Sequence, residues 1–321
     1  MRELKVLLLI AIGAILGGCI RTPGNPDGLK PAPGMEKTFV VLPYGDGGAF
    51  WNKFREGAKH AASEGGYKIH WETPPPVWTI KQQDEAIQTV TDLEPPGIIL
   101  GPLHRNRVQG RVSEAAELGI PVVVAASNED TMHQLTYVGS DNSAMGKDLA
   151  KWVAQQTPQG GDIAVMKTQQ GMRSVDTRLH ALLEELGGKP VQQIAFSADR
   201  DLNYQEGNLQ KIMASALQKY LQQNATVASV VALDENSTKA AWNVLQQIPE
   251  AKRPRLFGVS MEPHLLKECH AGKIAVLVQE NPYKMGELSV ASIFEFIDGK
   301  KPQQQVFVPY EIVHAANRAE E

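Results

Sequence analysis

The chain has 321 residues, 42% of them hydrophobic and 21% charged, and a net charge of -4. That length exceeds one ordinary core and suits two, in a composition typical of globular proteins. The weakly acidic balance leaves no electrostatic footprint for nucleic acid, and two cysteines are too few for a disulfide framework or a cysteine-built metal site.

The first residues read as an export signal. Arg2 and Lys5 flank an apolar run from Val6 to Leu16, which stops at Gly17-Gly18-Cys19. The run is shorter than the ~20 apolar residues that span a bilayer, so a cleaved signal over residues 1–18 is expected. Residues 19–37 are dense in Pro and Gly, among them Pro23, Gly24, Pro26 and Pro31, and read as a flexible tether.

From Thr38 strand and helix patterns alternate. Phe39-Val40-Val41-Leu42 is a short apolar run followed by the Gly-rich Tyr44-Gly45-Asp46-Gly47-Gly48 and a helix carrying Phe50, Trp51, Phe54 and Ala58 at helical spacing. Further strands are expected near Tyr67–Trp71, Gly97–Pro102 and Ile120–Val124. The second of these is purely apolar, as a strand covered on both faces should be. In Tyr137-Val138-Gly139-Ser140-Asp141-Asn142 an apolar run ends in Gly and a helix opens, with Ser140 or Asp141 as its N-cap. That stretch reads as the passage from one α/β lobe to another. Strands are then expected at Ile163–Met166, Val191–Phe196, Val227–Leu233, Leu256–Val259 and Ile274–Val278. A long helix over Pro282–Ile297 and a late strand at Val306–Pro309 follow. The fold class expected is α/β, with two doubly wound parallel sheets.

Several segments, in order, resemble the type I periplasmic solute-binding proteins of the ribose and galactose receptor group. They are Ala49–Ala58, Glu117–Val123, Gly139–Asn142, Ala232–Glu235, Gly272–Ala275 and Asn281–Gly286. Leu16-Gly17-Gly18-Cys19 likewise resembles a bacterial lipobox, which implies cleavage before Cys19 and acyl chains on it. The family resemblance implies two lobes joined by three crossovers, near Ser140 and Asp141, near Gln279 and near Gln305. The lobes are then 38–140 with 281–305, and 141–280 with 306–314, leaving 315–321 as a tail. The resemblance also implies a monomer that closes by a hinge on a small polar solute, most simply a sugar, bound between the lobes. The same fold occurs in sugar-responsive repressors, but those carry a helix-turn-helix where this chain has a signal segment.

On that resemblance, Asp46, Phe50 and Trp51 come from the loop and helix after the first strand. One aromatic is expected in the cleft and the other in the core. Ribose receptors carry an Asp-Arg pair where this chain has Ala126-Ser127, followed by Asn128, Glu129 and Asp130. A family arginine falls on Asp176, with Arg173 just before it and Arg178 matching a more structural arginine. The family Asn falls on Asp234, an Asp on Ser260, and the hinge glutamine on Gln279 or Glu280. His104 reaches either the cleft mouth or solvent. Arginines are therefore lost and carboxylates gained. Asp46, Asp176, Asp234 and Glu280, if they converge uncompensated, would repel and raise one another's pKa values, which an amine-bearing ligand, a bound cation or Arg173 turned inward would relieve. Their alternative is a solvated loop or a helix N-terminus.

The sequence holds no nucleophile elbow, P-loop or paired-histidine zinc motif, so an enzyme, a cofactor and a metal are not expected. Two roles stay open: receptor of an ABC importer delivering solute to a permease, or sensory module signalling to a membrane receptor or kinase.

Overall fold

A computed structural model of the chain describes residues 29–45, 48–72, 79–104, 108–127, 133–159, 161–168, 172–194 and 206–317. Asp46, Cys19, the signal segment and residues 128–130 lie outside the described residues.

Alternation along the strands decides the layers, because successive side chains point to opposite faces. In β1 (Thr38–Leu42), Phe39 and Val41 enter one apolar cluster while Val40 and Leu42 enter another. β1 sits inside a parallel sheet ordered β11-β5-β4-β3-β1-β2, built from β2 (Lys68–Trp71), β3 (Ile98–Leu100), β4 (Val122–Ala125), β5 (Thr136–Gly139) and β11 (Gln305–Phe307). The helices α1 (Gly48–Glu64) and α9 (Pro282–Ile297) cover one face, and α2 (Ile80–Thr91) and α3 (Gln109–Glu117) the other.

The second sheet is ordered β12-β10-β9-β8-β6-β7, from β6 (Asp162–Met166), β7 (Val191–Gln193), β8 (Val227–Ala232), β9 (Arg255–Val259), β10 (Val276–Gln279) and β12 (Glu311–Val313). In β8 and just past it, Val230 and Ala232 face α6 (Glu206–Gln223), α7 (Glu235–Leu245) and α8 (Pro263–His270). Val231 and Leu233 face α4 (Asn142–Gln156) and α5 (Arg173–Leu186). The expected two doubly wound sheets are present, with one difference. β12 pairs antiparallel with β10, Leu277 opposite Val313. Three residues that include a glutamate carry too little periodicity to be read as a strand.

Glycines set the closest helix contacts. A β-carbon on Gly57 would lie 2.0 Å from the Tyr283 carbonyl oxygen, and one on Gly146 would lie 2.4 Å from that of Arg178. Neither backbone can give way, so α1 meets α9 and α4 meets α5 at positions where only hydrogen fits.

The chain passes between the sheets three times: at Ser140–Asp141 between β5 and α4, at Glu280–Asn281 between β10 and α9, and at Val308–Tyr310 between β11 and β12. The third passage corrects the expected boundary. Gln305 pairs with Tyr137 and Phe307 with Gly139, so residues 305–307 are part of the first sheet rather than the crossing. Val308 is buried in the first lobe's core and Tyr310 packs on the second's, which places the passage at Pro309. Asp141 caps α4, its Oδ1 accepting from the Ala144 N–H at 2.9 Å.

Tyr310 is fixed by donating its hydroxyl to Asp148 Oδ2 at 2.8 Å. Burial pushes the Asp148 carboxyl up, but hydrogen bonds from Lys151 and Tyr310 outweigh that and hold it below the ordinary value. A carboxyl depressed on folding stabilises the fold above its unfolded pKa, and that stability is lost as pH falls through the folded value. Tyr310→Phe is therefore expected to cost about 1 kcal/mol at neutral pH, the low side for a bond to a partly exposed charge. In strong acid, where both states are protonated, the two proteins should converge. Urea melts at both pH values check this.

Candidate functional site

In both sheets the loops leaving the carboxyl ends of the strands face one another, the place where open α/β sheets take ligands. On the first lobe β1 leads to Tyr44 and α1. Trp51 is 3% exposed and lies in the core, its ring edge-on to Tyr44 at 4.9 Å and to Phe50 at 5.3 Å. Gly101, at the end of β3, is needed there: a β-carbon on it would lie 2.5 Å from the Trp51 ring. Phe50 is half-buried at the start of the helix. Trp51 is thus the core aromatic, and the half-buried Phe50 packs edge-on against it.

Tyr44 packs against the apolar clusters of both lobes and so bridges them. Its phenol pKa is raised, by burial first and then by the negative charge of Glu280. The group stays a neutral donor. After β3, the buried Gln83 amide donates to the Gly101 carbonyl and its oxygen accepts from the Leu103 N–H, both at 2.8 Å. That clamp fixes the loop carrying the half-buried His104.

The second lobe answers with polar groups, each of them compensated. Asp176, in the first turn of α5, pairs with Lys167, which follows β6. Asp234 caps α7: its Oδ1 accepts from the Ser237 N–H at 2.9 Å and its Oδ2 from the Thr168 N–H at 2.7 Å. Ser260 is buried, its Oγ accepting from the Glu262 N–H at 3.1 Å. Arg173 is half-buried at the start of α5, and Gln279 ends β10 opposite Glu311.

Glu280 lies at the second crossover. Its Oε1 accepts from Ser140 Oγ at 2.7 Å and is 3.2 Å from Arg178 Nη2. Arg178, 4% exposed, also donates to Asn142 Oδ1 at 2.7 Å and to the Leu233 carbonyl at 3.0 Å. One guanidinium thereby ties the first crossover, the second crossover, α5 and the end of β8. Glu280 is bound to Ser140 and Arg178 where the chain crosses between the sheets, and an uncompensated cluster of acids is not formed by Asp176, Asp234 and Glu280.

Glu235 is the acid that sequence reasoning passed over. Burial raises its carboxyl pKa, opposed by Lys239, which bridges it at 3.0 Å to Glu262 at 2.8 Å. Its Oε1 lies 3.9 Å from where a β-carbon on Gly48 would stand, so it faces the first turn of α1 across the cleft. Lys167 was also passed over, although its position directly after an apolar strand marked it for the strand-end rim. Among the described residues no group of three His, Cys, Asp or Glu side chains is placed to hold a metal ion.

Comparison with known proteins agrees with this architecture. Residues 39–301 match the model of a periplasmic binding protein domain. The ribose import binding protein of Bacillus subtilis is 21% identical over 97% of this chain and 98% of its own. Among solved structures, a glucose-galactose binding protein from Geobacillus stearothermophilus superimposes with a TM-score of 0.79 at 18% identity, covering 88% of this chain and 99% of that one. An ABC transporter solute-binding protein from Agrobacterium vitis, bound with alpha-D-tagatopyranose, also gives 0.79 at 18% identity, covering 89% and 97%. The chain belongs to the periplasmic binding protein family.

Removing one member of a buried ion pair strands the other, at a cost of about 3–5 kcal/mol. Arg178→Met should lose that much in chemical denaturation, whereas Glu280→Gln, which still offers an acceptor to Ser140 and Arg178, should lose clearly less. Adding Glu280→Gln to Arg178→Met should recover part of the loss. Equal losses for the two single variants would contradict this assignment.

Proposed function

We propose that the protein is an exported receptor, held to a membrane through acyl chains on Cys19, that closes on a small sugar and delivers it to the permease of an ABC importer. The observation that carries this reading is the pairing across the cleft: an aromatic rim of Tyr44 and Phe50, with Trp51 behind it, opposite a rim of hydrogen-bonding side chains. Aromatic faces stack on the C–H surface of a sugar ring while polar groups bond its hydroxyls. The relatives support the same direction, one being a ribose import protein and another having been crystallised with a ketohexose.

The residues assigned to the ligand are Phe50 and His104 from the first lobe, together with Asp46, which precedes α1 in the sequence. From the second lobe they are Lys167, Arg173, Asp176 and Glu235. Asp234 and Ser260 are assigned to holding the rim, and Gln279 and Glu280 to holding the hinge. The alternative of an amine-bearing ligand rests on unpaired acids. With Lys167 on Asp176, backbone donors on Asp234 and Arg178 on Glu280, a neutral sugar is the better fit.

A thermal-shift screen of pentoses, hexoses, amino sugars and polyamines tests the class. Ligand at 100 times its Kd stabilises by about 2.7 kcal/mol, enough to read as a clear rise in Tm. A neutral sugar should give the largest rise, and Phe50→Ala should weaken its binding about three- to tenfold, the worth of one ring contact. A polyamine giving the largest shift, or no sugar giving any, would overturn the reading. Loss of uptake of that sugar on deletion tests the importer role.

A further inference from the structure

The helix α5 starts without a cap of its own. Met172 stands at its N-cap position and makes no side-chain hydrogen bond to the first turn. A helix leaves its first N–H groups without partners inside the helix, so they must be met from elsewhere or by water. Here the Ser174 N–H donates to Ser127 Oγ at 3.3 Å. Ser127 follows β4 on the first lobe and α5 belongs to the second, so this bond crosses the cleft. Both residues are buried, Ser127 completely.

The turn that presents Ser127 is itself unusual. Ala126 has φ +66°, in the left-handed region that residues with a β-carbon rarely adopt. Its N–H donates to the Val138 carbonyl at 3.0 Å, and the Tyr137 hydroxyl shares its one proton between the Ser140 carbonyl at 3.2 Å and the Ala126 carbonyl at 3.4 Å. Backbone kept in such a region by its surroundings points to a function for the conformation. In this chain the conformation delivers the Ser127 hydroxyl to the start of α5.

We propose that Ser127 is the N-cap of α5 supplied from the opposite lobe, and that it is the latch of the closed cleft. Closing satisfies a helix donor that opening returns to water. The inference rests on the proposed closing motion and is independent of which solute is bound.

Spin labels at Lys53→Cys and Lys211→Cys, both exposed and on opposite lobes, report the opening by pulsed dipolar spectroscopy without added sugar. Cys269 is buried and stays in place. Ser127→Ala should shift the closed-to-open ratio toward open by about two- to tenfold, the worth of one hydrogen bond. Hydrogen exchange at Ser174 should accelerate with it. Ala126→Gly, which accepts the same φ and keeps Ser127, should retain the short separation. An unchanged distance distribution in Ser127→Ala overturns the latch, as does a shift with unchanged exchange at Ser174. If the alanine variant fails to fold, Ser174 exchange in the parent protein decides: slower exchange on closure supports the latch, and no change overturns it. A chain that shows the Ser127-dependent shift yet binds no sugar supports the latch while overturning the sugar reading.

Discussion

The pair formed by the buried Arg178 and the half-buried Glu280 sits where the chain passes between lobes, and the rest of the arrangement depends on it. A buried guanidinium in that position is tolerable only when its N–H groups find acceptors. The guanidinium meets Glu280, Asn142 and the Leu233 carbonyl, while Ser140 supplies Glu280 with a further donor. The pair therefore fixes two of the three crossovers relative to the end of β8.

Around that fixed point the two lobes contribute different chemistry. The first presents rings whose positions are set by core packing, with Trp51 as the buried anchor and Phe50 and Tyr44 against it. The second presents charges whose positions are set by helix starts. Asp234 caps α7, Asp176 sits in the first turn of α5 beside Lys167, and Glu235 sits in the first turn of α7 beside Lys239. Acids are favoured at helix N-termini, so the same residues that line the rim also stabilise the helices carrying it.

Much of the fold could be read from the sequence because its central strands are covered on both faces and appear as unbroken apolar runs, such as Ile98–Leu100 and Val122–Ala125. The lobe boundary at Ser140 was legible for a local reason, a Gly-ended strand followed by the Asp141 cap. Gln305 lies four residues before the passage at Pro309, since Val306-Phe307-Val308-Pro309 runs on as apolar sequence and does not mark where pairing with β5 stops. The site was less legible. Sequence shows that Asp176 and Glu280 are acids, but their partners Lys167 and Arg178 are brought to them only by tertiary packing. Treating the acids without those partners produced an unbalanced cleft. Ser127 has no local signature in the sequence, because its bond to the start of α5 joins segments 47 residues apart on different lobes.

Paired crystal structures with and without a bound sugar test the central claim most directly. The account predicts that the Arg178–Glu280 and Ser140–Glu280 contacts persist in both, while the lobes rotate about the crossovers and Ser127 meets Ser174 only in the closed form. Lobes that keep one angle in both structures, or an Arg178–Glu280 pair that breaks on opening, would contradict it.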